Sequence, residues 1–245
     1  KTSSTADSFA INFYANNPDI PLDKRSPQEK LDEINAKLQD LDLDDNDKFN
    51  ILVQKKAICS LAFGDNSPES FEALYQLGSF YNEQNRPDSG LRHLLKAQEI
   101  SKTIDTTDDQ NFAIAIEIAD SYITIPPKNK QEQNRNLANA ENSIKPYEKF
   151  ETSDQILIYK KFLIFARINS CRGQFATAFR FYEQAYLALD AANQAKITEQ
   201  MASLFIEMGE CAENGGDPKQ ALEMFQRAQS AFDDLEMTES AQLLN

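Results

Sequence analysis

Three stretches of this chain align end to end without a gap: Leu74–Ala97 (LYQLGSFYNEQNRPDSGLRHLLKA), Phe162–Ala185 (FLIFARINSCRGQFATAFRFYEQA) and Phe205–Ala228 (FIEMGECAENGGDPKQALEMFQRA). Each opens on a bulky residue (Leu74, Phe162, Phe205) and carries a small one four places on (Gly78, Ala166, Gly209). Turn-forming residues interrupt all three at the same place. Beyond the turn come a small residue (Gly90, Ala178, Ala221), a large one four later (Leu94, Tyr182, Phe225) and a closing alanine (Ala97, Ala185, Ala228). Spacings of three and four mark one face of a helix, so each stretch reads as two helices joined by a short turn. A helix-interior glycine costs roughly 1 kcal/mol relative to alanine. Its recurrence as Gly or Ala at one place predicts a close approach, where the first helix of a pair meets the second and no larger side chain fits.

A fourth, looser copy lies between the first two. FAIAIEIADSYITIPP (Phe112–Pro127) supplies a first helix with Ala119 at the small position and Tyr122 after it. Its turn is lengthened by IPPKNKQEQNR, and NLANAENSIKPYEKF serves as its second helix. The small positions Gly78, Ala119, Ala166 and Gly209 step by 41, 47 and 43 residues. Earlier, Ser26-Pro27-Gln28-Glu29 is a capping-box helix start with proline at the first helical position. Helices are expected near 27–41, 47–63, 69–84, 87–103, 109–125, 132–149, 153–172, 175–191, 194–214 and 218–235. No stretch alternates with period two, so no sheet is expected. The organisation is an irregular N-terminal strap (1–25), a helical-repeat domain (26–236) and a C-terminal cap or start of a further helix (237–245). The repeat domain comprises a divergent pair (27–63) and repeats at about 69–103, 109–149, 153–191 and 194–235. Phe9, Ile11, Phe13 and Tyr14 give the strap apolar docking residues.

The pattern of bulky residue, Leu-Gly and Tyr in a first helix, then Ala, Phe or Tyr, and Ala in a second, resembles the tetratricopeptide repeat (TPR). Leu77-Gly78 with Tyr81 match it, as do Met208-Gly209 and the series Phe175, Ala178, Tyr182 and Ala185. The period near 42 and the linker Phe63-Gly64-Asp65-Asn66-Ser67-Pro68 are similar to the kinesin-light-chain subtype, without that subtype's histidine and without repetition in later linkers. The resemblance implies an all-α fold: a right-handed superhelical solenoid of antiparallel helix pairs whose first (A) helices line a concave face.

Composition removes many other classes. Lys and Arg number 25 against 39 Asp and Glu, so net charge is 25 − 39 = −14, which disfavours nucleic acid and anionic membrane as partners. Seven Gly and nine Pro disfavour sandwiches, barrels and Gly-rich phosphate loops, and neither phosphate-loop motif occurs. His93 is the one histidine, read as a surface residue of a second helix, so a histidine triad or zinc site has no companions. Cys59, Cys171 and Cys211 are too far apart for a metal motif and too few for a disulfide framework. The acidic run after Asp40 lacks the glycine and glutamate of a calcium loop. It reads as a turn in which Asn46 or Asp47 caps the next helix. No signal peptide or membrane-spanning run is visible, so the expected setting is an intracellular, reducing one.

The resemblance implies a non-catalytic protein-interaction scaffold or adaptor in a larger assembly, needing no cofactor and no metal. Its narrower form is a microtubule-motor cargo adaptor, or a ciliary or axonemal component, in a cytoplasmic, cytoskeletal or ciliary setting. Family positions carried over to the concave face give Tyr75, Gln76, Ser79, Asn82 and Glu83, then Glu117 and Asp120, then Lys160 and Arg167, and finally Glu207, Glu210 and Glu213. The lysine, asparagine and arginine clamp that holds chaperone tails is absent, with Tyr75, Ser79, Ile116, Asp120, Leu163, Arg167, Ile206 and Glu210 in its places. A mostly acidic, amide-rich face implies a basic or polar peptide or helix as partner.

Overall fold

Local sequence sets most helix ends. The computed structural model describes residues 25–40, 43–194 and 196–243, with side chains to residue 236. The strap, Arg25 apart, lies outside the described residues, Phe9, Ile11, Phe13 and Tyr14 among them. The described residues form α-helices, one 3-10 turn and no strand. They divide into two units, Lys1–Thr107 and Asp108–Asn245.

The first unit holds α1 (Pro27–Lys37), α2 (Asp45–Ala62), α3 (Pro68–Glu83) and α4 (Pro87–Ser101). Ser26 makes the expected capping box: its hydroxyl accepts from the Glu29 backbone N–H at 3.2 Å, and its own N–H donates to Glu29 at 2.6 Å. Asp44, not Asn46 or Asp47, caps α2, accepting from the Asp47 backbone N–H at 2.9 Å. The acidic run offers several possible caps, and the one used is the residue that leaves Asp47 at the third helical position. Leu31, Cys59 and Ala73 pack together under Phe63. Leu52, Leu77 and Phe80 do so with Leu38, Phe49 and Tyr81. The linker ahead of α3 is fixed by Gly64, whose φ of +97° suits glycine, and by Ser70, whose hydroxyl donates to the Gly64 carbonyl at 2.7 Å.

Gly78 behaves as its recurrence predicts. A methyl group there would lie 2.6 Å from Leu94 Cγ and 3.2 Å from the Gly90 carbonyl oxygen, both on α4.

The second unit holds α5 (Asp108–Thr124), α6 (Lys130–Ile144), α7 (Gln155–Cys171), α8 (Phe175–Ala192), α9 (Glu199–Asn214) and α10 (Pro218–Leu243). A methyl at Gly209 would meet the Phe225 ring at 2.5 Å, the same A-to-B approach as Gly78 with Leu94. Ala166 and Tyr182 lie buried in one apolar cluster. The three aligned turns also share one geometry. Asn85, Gly173 and Gly216 occupy equivalent places, and all have left-handed φ of 53°, 74° and 82°. The next residue's N–H then reaches back five positions: Arg86 to Tyr81 at 2.8 Å, Gln174 to Asn169 at 2.9 Å, and Asp217 to Ala212 at 2.9 Å. This is the helix-ending turn in which glycine, or asparagine in its place, satisfies the last carbonyls.

Several helix ends differ from the sequence reading, among them that of α1, which stops at Lys37 rather than near 41. α6 stops at Ile144 because Pro146 offers no N–H and restricts the residue before it. A 3-10 turn, Lys145–Tyr147, follows, and it brings Tyr147 and Phe150 against Phe112, each with ring centroids 5.2 Å from it. α9 begins at Glu199 rather than near 194, since Gln194 turns left-handed (φ 52°) and Thr198 supplies the cap. α10 continues to Leu243, so the described part of the stretch expected as a cap or the start of a further helix prolongs α10.

Candidate functional site: the faces of the A helices

The A helices are α3 in the first unit and α5, α7 and α9 in the second. On α3, the Gln76 amide accepts from Lys55 Nζ of α2 at 2.8 Å and donates to Glu72 at 2.7 Å. Lys55 is 3 % exposed. Burial pushes its pKa below the ordinary lysine value, and Glu72 works in the opposite direction. Glu83 is held by Lys48 of α2 at 3.0 Å. Tyr75, Ser79 and Asn82 are half-buried, and the Asn82 amide lies so close to α4 that a methyl on Gly90 would meet it at 2.5 Å. The Ser79 hydroxyl oxygen is buried without a hydrogen-bond partner.

In the second unit the carried-over positions find one another. Arg167, at the middle of α7, donates through Nε and Nη2 to both Glu207 oxygens of α9, at 2.9 and 2.6 Å, and through Nη1 to Asp120 of α5 at 2.7 Å. The Tyr182 hydroxyl of α8 donates to the same Glu207 at 3.1 Å. Farther toward the start of α7, Lys160 meets buried Glu117 of α5 at 2.5 Å. A guanidinium suits the Arg167 junction because its planar fork can serve two carboxylates at once.

Electrostatics follow from that geometry. Burial raises the Asp120 pKa above the usual carboxylate range, against the pull of Arg167. Burial also opposes the charge on Arg167, but the Glu207 hydrogen bond, Glu207 and Asp120 together outweigh it and hold the guanidinium protonated. Burial, then the Glu207 charge, pushes Tyr182 up, and burial does the same to Tyr159. The cluster therefore holds the Arg167 charge in place between two carboxylates.

Glu210 and Glu213, on the same face of α9 beyond Glu207, are exposed, and Ile206 beside them is 37 % exposed. Apart from Ser79, buried without a hydrogen-bond partner, the twelve carried-over residues thus separate into those tied within the chain and an open acidic end on α9. Lys55 and Tyr182 are the members that sequence reasoning missed. Lys55 is a lone cation on the otherwise apolar Leu52–Cys59 stripe of α2. Tyr182 has the only hydroxyl among the aligned large residues Leu94, Tyr182 and Phe225. Either oddity was a legible sign of a buried polar partner.

The thiols take no part. Cys59 and Cys211 are buried and Cys171 is exposed, all free, and burial raises the pKa of each. Among the described residues no group of three His, Cys, Asp or Glu side chains could hold a metal, and no helix is long and apolar enough to cross a membrane.

Neither a protein-family model nor a curated protein matches the chain. Solved structures do. A single-substitution form of a Podosopora anserina protein with nearly identical TPR-like repeats, provisionally assigned as a kinesin light chain, is 15 % identical, with a TM-score of 0.52 over 88 % of this chain and 100 % of that one. A second structure so described, without the substitution, is 15 % identical over 86 % and 98 %, with a TM-score of 0.49. Taken with the shared turns and the glycine approaches, the first of these likenesses identifies the fold as all-α, TPR-like helix pairs in solenoid order.

Proposed function

We propose that the chain is a non-catalytic interaction scaffold that holds a basic or polar segment of a protein partner along its A-helix faces, as one component of a larger cytoplasmic assembly. The observation that carries this reading is the state of α9. Glu207 is neutralised by Arg167, while Glu210 and Glu213 stand exposed beside the half-exposed apolar Ile206. Carboxylates next to an apolar anchor suit a lysine- or arginine-bearing segment with one apolar side chain. The narrower reading, a motor-cargo adaptor or ciliary component, rests on the period near 42, the single Phe63–Pro68 linker and the name given to the Podosopora anserina protein, and is not adopted.

The test is affinity capture with mass spectrometry on wild type and on Glu210→Lys/Glu213→Lys. Retained circular dichroism with loss of a captured partner is the expected outcome. A full set of partners on a folded variant would remove this face from consideration. Glu207→Lys is the wrong probe, because it would set a lysine against Arg167 and disturb the fold itself.

A further inference from the structure

A second surface stands apart from the A-helix face. In the first unit, α2, the end of α3, the turn after it and α4 bring three cations around the single histidine and a fourth onto the Tyr81 ring beside it. Lys56 Nζ of α2 lies 3.5 Å from His93 Nε2 of α4. The His93 ring lies 5.4 Å from the Tyr81 ring of α3, and the Arg86 guanidinium lies over the same tyrosine ring, 5.2 Å from its centroid. Arg92 and Lys96 flank the histidine on α4 and, with Lys56, act on its charge. His93 is therefore not the plain surface histidine expected. It is half-buried, with Nδ1 2.8 Å from the Ser89 carbonyl, so Nδ1 carries the proton and Nε2 turns its lone pair toward Lys56.

Among the described residues, Lys56, Arg86, Arg92 and Lys96 form no ion pair with a carboxylate, whereas Lys48 and Arg167 do. Arg92 donates only to the Asp88 backbone carbonyl, at 3.2 Å. Like charges held this close repel one another, and a chain with 39 acidic residues had carboxylates to spare for them. We propose that Lys56, Arg86, Arg92 and Lys96, gathered about His93 and Tyr81, form a docking patch for a carboxylate-rich peptide segment of a protein partner. Charge complementarity selects the occupant. The patch is small and sits in a molecule of net charge −14, with exposed Asp88 and Glu99 on α4. A bilayer or a nucleic acid presents an extended anionic surface to a molecule that is acidic overall, whereas a short acidic segment matches a patch of four cations.

The histidine makes the patch responsive to pH. Burial first, then Lys56, Arg92 and Lys96, hold His93 below its ordinary value. These cations, with Tyr81 from α3, are the groups that face it. A bound carboxylate relieves their repulsion and favours the imidazolium, so docking tightens as pH falls from neutral to mildly acid.

Fluorescence anisotropy of the full chain with a fluorescein-labelled oligoglutamate peptide tests this. Wild type is expected to bind saturably. Lys56→Glu/Lys96→Glu is expected to weaken binding by about tenfold or more, with a thermal melt no lower than that of wild type because neither lysine supports an ion pair. Lys56→Ala/Lys96→Ala serves if the charge reversal unfolds the chain. Lys128→Glu/Lys130→Glu, exposed cations elsewhere, and Glu210→Lys/Glu213→Lys should leave binding intact. The rise toward acid pH should disappear in His93→Gln. No saturable binding, an equal loss in the Lys128/Lys130 variant, or tighter binding to phosphatidylserine vesicles or single-stranded DNA would each overturn the proposal. Since the A-helix face bears none of these residues, either surface can fail without the other.

Discussion

Gly78 shows how a single residue records a tertiary contact. Alanine there would gain about 1 kcal/mol of helix propensity, yet its methyl would sit 2.6 Å from Leu94 Cγ. Leu94 is fully buried, so moving it strains the core by about 1–3 kcal/mol. Gly78→Ala is therefore expected to lower unfolding free energy in urea by about 1 kcal/mol. In a Leu94→Ala background only the Gly90 carbonyl oxygen, at 3.2 Å, stays close, so the same change should turn from destabilising to stabilising, by less than about 1 kcal/mol. The same sign in both backgrounds would mean that Leu94 is not what the glycine accommodates.

At the scale of elements, turns rather than helices keep the three copies in register. A helix-ending residue with left-handed φ sets where the second helix starts, and hence which of its faces meets the first. Gly173, at φ +74°, is open on all sides: no atom would approach an added methyl within 4 Å. Gly173→Ala thus isolates backbone strain from steric contact. Thermal denaturation should show a loss of about 1 kcal/mol, and a neutral result would place the turn's stability in its hydrogen bonds alone. Element boundaries were legible where a cap had one candidate, as at Ser26. They were misplaced where several acids competed for the α2 cap and where Gln194, an ordinary residue, adopted a glycine conformation.

At the scale of the whole molecule, Arg167 ties three successive helix pairs of the second unit through Asp120, Glu207 and, by way of Glu207, Tyr182. Arg167→Met keeps the stem and removes the charge, leaving two carboxylates facing a partly buried gap. The expected cost is about 2–4 kcal/mol, read as a lowered Tm. Stripped of Arg167, the buried Asp120 carboxyl loses the charge that lowers its pKa and protonates more easily, so the deficit should narrow as pH falls through the carboxylate range. Adding Asp120→Asn and Glu207→Gln should recover most of the loss. A melt unchanged by Arg167→Met would show that apolar contacts alone hold these repeats together.

The sequence by itself determined the helices, their pairing and the close approach at Gly78 and Gly209, because these rest on local periodicity, on turn chemistry and on a pattern that repeats. Tertiary structure alone decided the fate of the polar residues. Glu117, Asp120, Lys160, Arg167 and Glu207 are separated by up to 90 positions along the chain, and nothing in their spacing says whether each faces a partner or another member of the set. The same is true of Lys56 and Lys96, which come together about His93 only when α2 lies beside α4. Charge pairing acts through space over a few ångströms, and a linear order of residues does not encode those distances.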